Sequence, residues 1–350
     1  MKIDGSYGEG GGQIIRTALA LSTITGKSFK AVNIRRGREE PGLKAQHLAC
    51  ITALKQICGA ETNSVEVGSE VLEYKPGKIK SGTYQIDIGT AGSITLLLQA
   101  VLLPCFFAPR KVTLKITGGT CGKWQAPAEY FQNVLLPHLF KLAEKIDFKI
   151  LKRGYYPKGG GQIELAVSPK KGLENVQTIN LVSRGDLMQI KGVSYAARAL
   201  EKAQVAERQA KATRKLLGRY EVPINITKEY GESLNPGSGI VLWGVFSSDD
   251  HQNPIRLGAN GLGERGKPSE KVGEEAALGL IKEIDSETVV DSHLSDQLIP
   301  FMGLLPGSQI KVASVSKHCE SNIYAVEKFL DVKFEIKDGL ISIRKQRKSK

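Results

Sequence analysis

Residues 7 to 16, Tyr7-Gly8-Glu9-Gly10-Gly11-Gly12-Gln13-Ile14-Ile15-Arg16, set a glycine cluster before a helix-forming run. Glycines let a backbone approach an anion closely, and a helix start offers free N–H groups. Glu9 adds a carboxylate for a divalent metal that bridges phosphates. A tight turn carrying a solvated acid fits the spacing equally well. The string is neither a P-loop nor a dinucleotide fingerprint.

The run Arg35-Arg36-Gly37-Arg38-Glu39-Glu40-Pro41-Gly42 follows a β-rich stretch and leads through Lys44, Gln46 and His47 into a helix. Guanidinium forks suit bidentate phosphate recognition, and Arg16 on the neighbouring helix allows convergence on one anion; a charged surface loop is the plainer alternative. In Gly89-Thr90-Ala91-Gly92-Ser93, small residues again precede a helix, within which Gln99 is polar on an apolar face. A buried, hydrogen-bonded glutamine explains that as readily as a ligand contact. Only five histidines occur, and two fall in polar strings, His293-Leu294-Ser295-Asp296-Gln297 and Ser316-Lys317-His318-Cys319. His318 lies where a strand pattern gives way to a helical one, a place that exposes a ring above a sheet edge. Such a ring can be a nucleophile if a neighbour orients it, although a structural histidine is the commoner case.

These segments sit on a grammar that recurs three times: a helical period, a β-rich run, a second helix. Helices are expected at Gln13–Thr25, Leu43–Ile57, 92–107, 128–143, 274–284, 294–305 and 322–330. Strands are expected at 29–36, 112–117, 147–152, 162–167, 309–315, 332–336 and 340–343. Residues 186–268 break the third unit with their own pattern: strands near 188–196, 224–229 and 240–246, a helix at 202–220, and loops at 231–239 and 247–266. The expectation is an α/β protein with a large domain, 1–185 and 269–344, in three units (about 1–75, 76–150, and 151–185 with 269–344). A small α/β domain, 186–268, is inserted, and 345–350 form a basic tail.

The chain has 350 residues, 41% hydrophobic, enough for a sizeable core. Lys and Arg number 49 against 36 acidic residues, a net charge of +13 that favours a polyanionic partner. The longest apolar run, Leu96–Ala108, is interrupted by Gln99 and Pro104, so no membrane span is expected. The start, with Asp4 and Gly5, does not read as a secretory signal, and a cytoplasmic location is expected. Five cysteines without a C-x-x-C pair argue against a disulfide framework or zinc ribbon.

Taken together the strings resemble the RNA 3′-terminal phosphate cyclase family from Asp4 to the last strands, and least in the insertion. The marks are GEGGGQIIRTALALS at 8–22, IRRGREEPGL at 34–43 with QHL at 46–48, GTAGSITLLLQAVLLP at 89–104, GGT at 118–120, YYPKGGGQ at 155–162, HLSDQL at 293–298 and HCESNIYAVEKFL from His318. CGKWQ at 121–125 and Ser295 depart from the family pattern.

The resemblance implies three β-α-β-α-β-β repeats with a small α/β domain inserted in the third. It implies ATP and a divalent metal, Mg2+, as cofactors, and RNA with a 3′-terminal phosphate as partner. His318 would take AMP from ATP, pass it to the RNA 3′-phosphate, and the vicinal 2′-hydroxyl would close a 2′,3′-cyclic phosphate as AMP leaves. Gln99, His293, Leu294, Ser295, Asp296 and Gln297 match ATP-binding positions, with Pro127 and His293 flanking adenine and Asp296 orienting His318. Glu9 matches the metal position, and Gln13, Arg16, Arg35, Arg38 and Gln46 the side that holds phosphate and the RNA end. Whether the chain forms a homodimer is left open.

Three rivals stand beside this reading. Cyclase-like factors of ribosome assembly share the fold but lack the nucleophilic histidine, so His318 favours the enzyme. Enolpyruvyl-type transferases share the architecture and need no RNA. A purely RNA-binding role could lie with Lys202, Arg208, Lys211, Arg214, Lys215 and Arg219, which form no single helix face.

Overall fold

A computed structural model describes residues 1–248 and 254–346. Gln13–Thr25 is an apolar-rich helix that stops at Gly26, whose left-handed backbone lets its N–H reach the Ser22 carbonyl. The strand that follows, Phe29–Val32, buries alternate residues, Phe29 and Ala31. Such units are assembled into four four-stranded sheets.

In the first sheet Lys2–Asp4 pairs parallel with Phe29–Val32, which pairs antiparallel with Leu72–Lys75, itself antiparallel to Glu61–Thr62. The second sheet has the same order and senses in Gly82–Asp87, Val112–Gly118, Gly161–Pro169 and Ala143–Lys152. So has a third, in Asn180–Leu181, Gln309–Lys311, Leu340–Lys345 and Val332–Lys337. Helices Gln13–Thr25, Ala45–Cys58, Ile94–Cys105, Ser292–Leu304 and Lys317–Phe329 bury one continuous core that includes Ile15, Leu54, Leu98, Leu298 and Val326.

The fourth sheet, Ile224–Gly231, Leu187–Ala197, Ser238–Phe246 and Ile255–Leu262, carries helices Val205–Leu217 and Ser269–Asp285. Ile190, Leu217, Leu242, Leu257, Ala276 and Leu280 form its separate core. No helix among the described residues is long and apolar enough to cross a membrane.

Four departures from the sequence expectation bear on the domain layout. Gly161–Pro169 pairs with Val112–Gly118 along its length, so the hairpin over 143–169 completes the second sheet and does not open a third unit at 151. Helix Ser269–Asp285 gives Val272, Ala276 and Leu280 to the fourth sheet's core, so this body runs past 268. Within the supposed loop 247–266 lies the strand Ile255–Leu262; its Gly258 is no turn residue, since a Cβ there would stand 2.5 Å from Tyr130 Cε2. Lys345 belongs to the last strand, and residues 347–350 of the supposed tail lie outside the described residues.

Two prolines turn helices into joints. Pro137 has no N–H to give the carbonyl four residues back, and the helix there contains a π turn, Phe131–Leu135. The carbonyl so freed, Asn133 O, accepts from Arg256 Nη1 of the fourth sheet at 2.7 Å. Pro300 likewise frees Asp296 O, which accepts from Asn322 Nδ2 at 2.7 Å.

Asp291 ties the same bodies together. Its Oδ1 caps helix Ser292–Leu304 by accepting from His293 N at 3.0 Å and Leu294 N at 2.9 Å, and also accepts from Tyr130 Oη at 2.6 Å. Its Oδ2 accepts from Gly258 N at 2.8 Å. Asp291→Ala removes a cap and strands a buried hydroxyl and a buried amide. A loss of about 3 kcal/mol or more is expected in urea unfolding, against well under 1 kcal/mol if the carboxylate is incidental.

Candidate active site

Helix Lys317–Phe329 is capped by Ser316, whose Oγ accepts from Cys319 N at 3.0 Å. Cys319 points into the core, its Sγ 3.4 Å from Ser295 Oγ, which leaves the preceding His318 half-exposed on the first turn. His318 Nδ1 lies 2.7 Å from Glu9 Oε1, and Glu9 Oε2 lies 3.2 Å from Arg38 Nη2. The ring and carboxylate are close but not aligned as a hydrogen bond, for Oε1 has no aligned donor. Burial lowers the His318 pKa; Glu9 opposes this, and Arg16, Arg38 and His293 reinforce it. The balance favours the neutral imidazole, the form that has a lone pair to give.

Behind it the glycine cluster turns through Gly8 and Gly10 at positive φ into the first helix. Arg16 is buried there, its Nε donating to Gln99 Oε1 at 2.8 Å and its Nη2 to Gln13 Oε1 at 2.7 Å. Gly12 is glycine because a Cβ would fall 2.1 Å from His47 Nε2. His47 Nδ1 accepts from Lys44 N at 2.9 Å, which leaves Nε2 to carry the ring proton. Burial, together with Arg16, Arg35 and Lys44, holds the His47 pKa down to about 3. Arg35 itself sits at φ 55°, donating to Gly42 O at 3.3 Å, and Gln46 Nε2 donates to Ser93 O at 2.9 Å.

A cleft of about 590 Å³ opens between these helices and the fourth sheet. Gln13, Arg16, Gln99, His293, Asp296, Gln297 and His318 all line it. Burial pushes the Asp296 carboxyl up to about 8, with Asp291 and Glu9 adding to the rise and Arg16 opposing it. A hollow of about 650 Å³ between residues 137–141 and 177–185 holds none of these groups.

Several expectations come out differently. Among the described residues no hydrogen bond or ion pair joins Asp296 to His318; the carboxylate against the ring is Glu9. Leu294 and Ser295 do not face the cleft, because a helix that aims 293, 296 and 297 one way aims 294 and 295 into the core, where the Ser295 hydroxyl donates to Ser292 O. Pro127 is buried before the next helix, and its neighbours Gln125 and Ala126 reach the cleft instead. Arg35 and Gln46 flank the site through the contacts given above. Among the described residues no cluster of three His, Cys, Asp or Glu could hold a metal, and Glu9 is already engaged by two cationic or polar partners.

Sequence reading missed the opposite wall: Thr95, Lys123, Trp124 and Gln125, then Asn260, Glu264, Lys267 and Glu275. Lys123 Nζ pairs with Glu264 Oε2 at 2.9 Å between these two parts. Trp124 within a polar glycine-containing loop was the one available signal; the insertion's residues had none, since their strand had been read as loop.

The model of the RNA 3′-terminal phosphate cyclase family matches residues 7–336. An RNA 3′-terminal phosphate cyclase of Pyrococcus furiosus is 45% identical over 340 residues, 97% of this chain and 95% of the relative. Proteins of the same name from Methanopyrus kandleri and Archaeoglobus fulgidus are 42% and 43% identical, covering 96% of this chain and 95% and 98% of their own.

The raised Asp296 pKa has a stability consequence. Folding holds a proton that the unfolded chain loses above its ordinary value of 3.8, so this group's contribution falls as pH rises from about 4 to about 8. Asp296→Asn should therefore gain thermal stability relative to wild type across that window. A Tm difference that stays flat with pH would contradict a raised pKa for this half-buried carboxyl.

Proposed function

Because the chain belongs to the RNA 3′-terminal phosphate cyclase family, and is an enzyme of that class, we propose that it works through AMP carried on His318. The observation that supports this most is an imidazole at the cleft wall with a carboxylate 2.7 Å from one nitrogen.

In this reading the His318 proton lies on Nδ1, where a small turn of the ring would bring it to Glu9, and the lone pair is on Nε2. Nε2 attacks the α-phosphorus of ATP, a P–N bond forms, and the bond to pyrophosphate breaks. The ring gains positive charge in that step, and the Glu9 carboxylate beside Nδ1–H stabilises it. An oxygen of the RNA 3′-phosphate then attacks the same phosphorus and returns His318 to its neutral form. The RNA now carries a phosphoanhydride with AMP as leaving group, and the adjacent 2′-hydroxyl attacks the 3′-phosphorus to close the ring. Without activation a phosphate monoester has no adequate leaving group, which is why ATP is required.

Arginine side chains that cannot lose their charge suit the phosphate end of this reaction. We assign Arg16, Arg35 and Arg38, with Gln13 and Gln46, to the RNA 3′-phosphate and the triphosphate, and Gln99, His293, Asp296 and Gln297 to the nucleotide. For a magnesium ion that arrives on the triphosphate Glu9 would be the one protein carboxylate, giving up its contact with Arg38 while keeping His318, and the ion would neutralise charge on the phosphates.

The test is labelling with α-labelled ATP and magnesium, followed by a denaturing gel. The expected label is acid-labile and alkali-stable, and is absent from His318→Ala. Glu9→Gln should slow its appearance about 10- to 100-fold, the usual cost of losing a histidine's orienting partner. A wild-type protein that takes no label with any divalent metal tried would sink the mechanism.

A further inference from the structure

Trp124 is the most exposed large apolar side chain among the described residues, at 95%, and it lines the cleft that holds His318. Its backbone has φ 60°, a strained placement for so bulky a residue. Beside it Gln125 Oε1 is buried without a donor, so the loop is also short of a hydrogen bond. Folding alone gains nothing from an indole held in water on strained backbone, while a flat π-face at the rim of a nucleotide site is a stacking surface.

We propose that Trp124 is the platform on which the base of the RNA 3′-terminal nucleotide stacks while its phosphate reaches His318. The inference deepens the reading above and rests on it. ATP is the less suitable occupant: a small ligand buries about 70–90% of its surface, which fits the inner part of the cleft near His293, Gln297 and Gln99. A polymer end differs, since one base lies beside the reacting phosphate and the chain continues into solvent. Lys123, next in sequence and over half exposed, gives that end a cation; its exposed pairing with Glu264 is weak enough to be exchanged for a phosphate. Stacking is tolerant of base identity, so all four terminal bases are accepted, purines somewhat better.

The chain has two tryptophans, and the other, Trp243, is only 6% exposed in the fourth sheet, so RNA-dependent quenching reports on Trp124. A short oligoribonucleotide ending in a 3′-phosphate, added without ATP, should quench the wild-type fluorescence saturably, and Trp124→Phe should lose that response. In cyclisation assays Trp124→Ala should raise the RNA KM about 10-fold more than the ATP KM, with Trp124→Phe restoring most of it. Absence of quenching by RNA, or an ATP KM that rises as much as the RNA KM, would overturn the proposal, the latter by placing adenine on the indole. Since quenching is read without ATP, a wild-type protein that takes no AMP label would refute the adenylation mechanism and leave this result standing.

Discussion

One amide holds the three helices of the site in register. Asn322 is fully buried; its Oδ1 accepts from Thr17 Oγ1 at 2.6 Å and its Nδ2 donates to Asp296 O at 2.7 Å. Thr17 follows Arg16 on the first helix, Asp296 lies between His293 and Gln297 on the second, and Asn322 is one turn beyond His318 on the third. The acceptor exists because Pro300 cannot bond to that carbonyl. A proline in a helix is usually a cost. Here the carbonyl it leaves open is filled by a neighbour, so the helix interior gains a specific lateral contact, and three groups of the site share one fixed frame.

The fourth sheet is attached by the same logic. Pro137 opens Asn133 O to Arg256, and Asp291 accepts from Gly258 while capping the helix of His293. Both joints lie at the strand Ile255–Leu262, whose far end, Asn260 to Leu262, lines the cleft. A wall built on a strand paired along one edge and anchored at Arg256 and Gly258 is positioned more rigidly than one built on a loop. This argues that the cleft is a property of the two bodies together.

How far the sequence made this legible varied by residue. Helix Gln13–Thr25 was readable to its last residue because an apolar period ends at Gly26. His318 stands out between an expected strand at 309–315 and an expected helix at 322–330, but the strand ends at Lys311 and the helix starts at Lys317, so the ring stands on the first helical turn. Pairing partners were not: Gly161–Pro169 has a local pattern that says strand but not which strand it joins, so the second unit was closed too early. Gly258 and Gly261 misled for a physical reason. Glycine marks turns by backbone freedom, but these two mark close approach, to Tyr130 and to the Val272 carbonyl, which only tertiary structure reveals. Glu9 was seen as an acid near phosphates, yet its contact with His318 joins residues more than 300 positions apart, and spacing carries no trace of it.

Burial also decides the charge of the site. It lowers the pKa of His47 and of His318 and raises that of Asp296, so that each is pushed toward its uncharged form. Arg16, Arg35 and Arg38 are different, because a guanidinium does not give up its proton in a protein even where burial lowers its pKa. Arg16 thus sets a fixed positive charge in the cleft wall, with Arg38 beside Glu9 and Arg35 flanking it, opposite the partly exposed acids of the outer wall. The overall charge of +13 need not be invoked. Selective neutralisation of the other titratable groups concentrates the positive potential where phosphates must meet, and favours an uncharged His318 among cations, the state in which its nitrogen can act as a nucleophile.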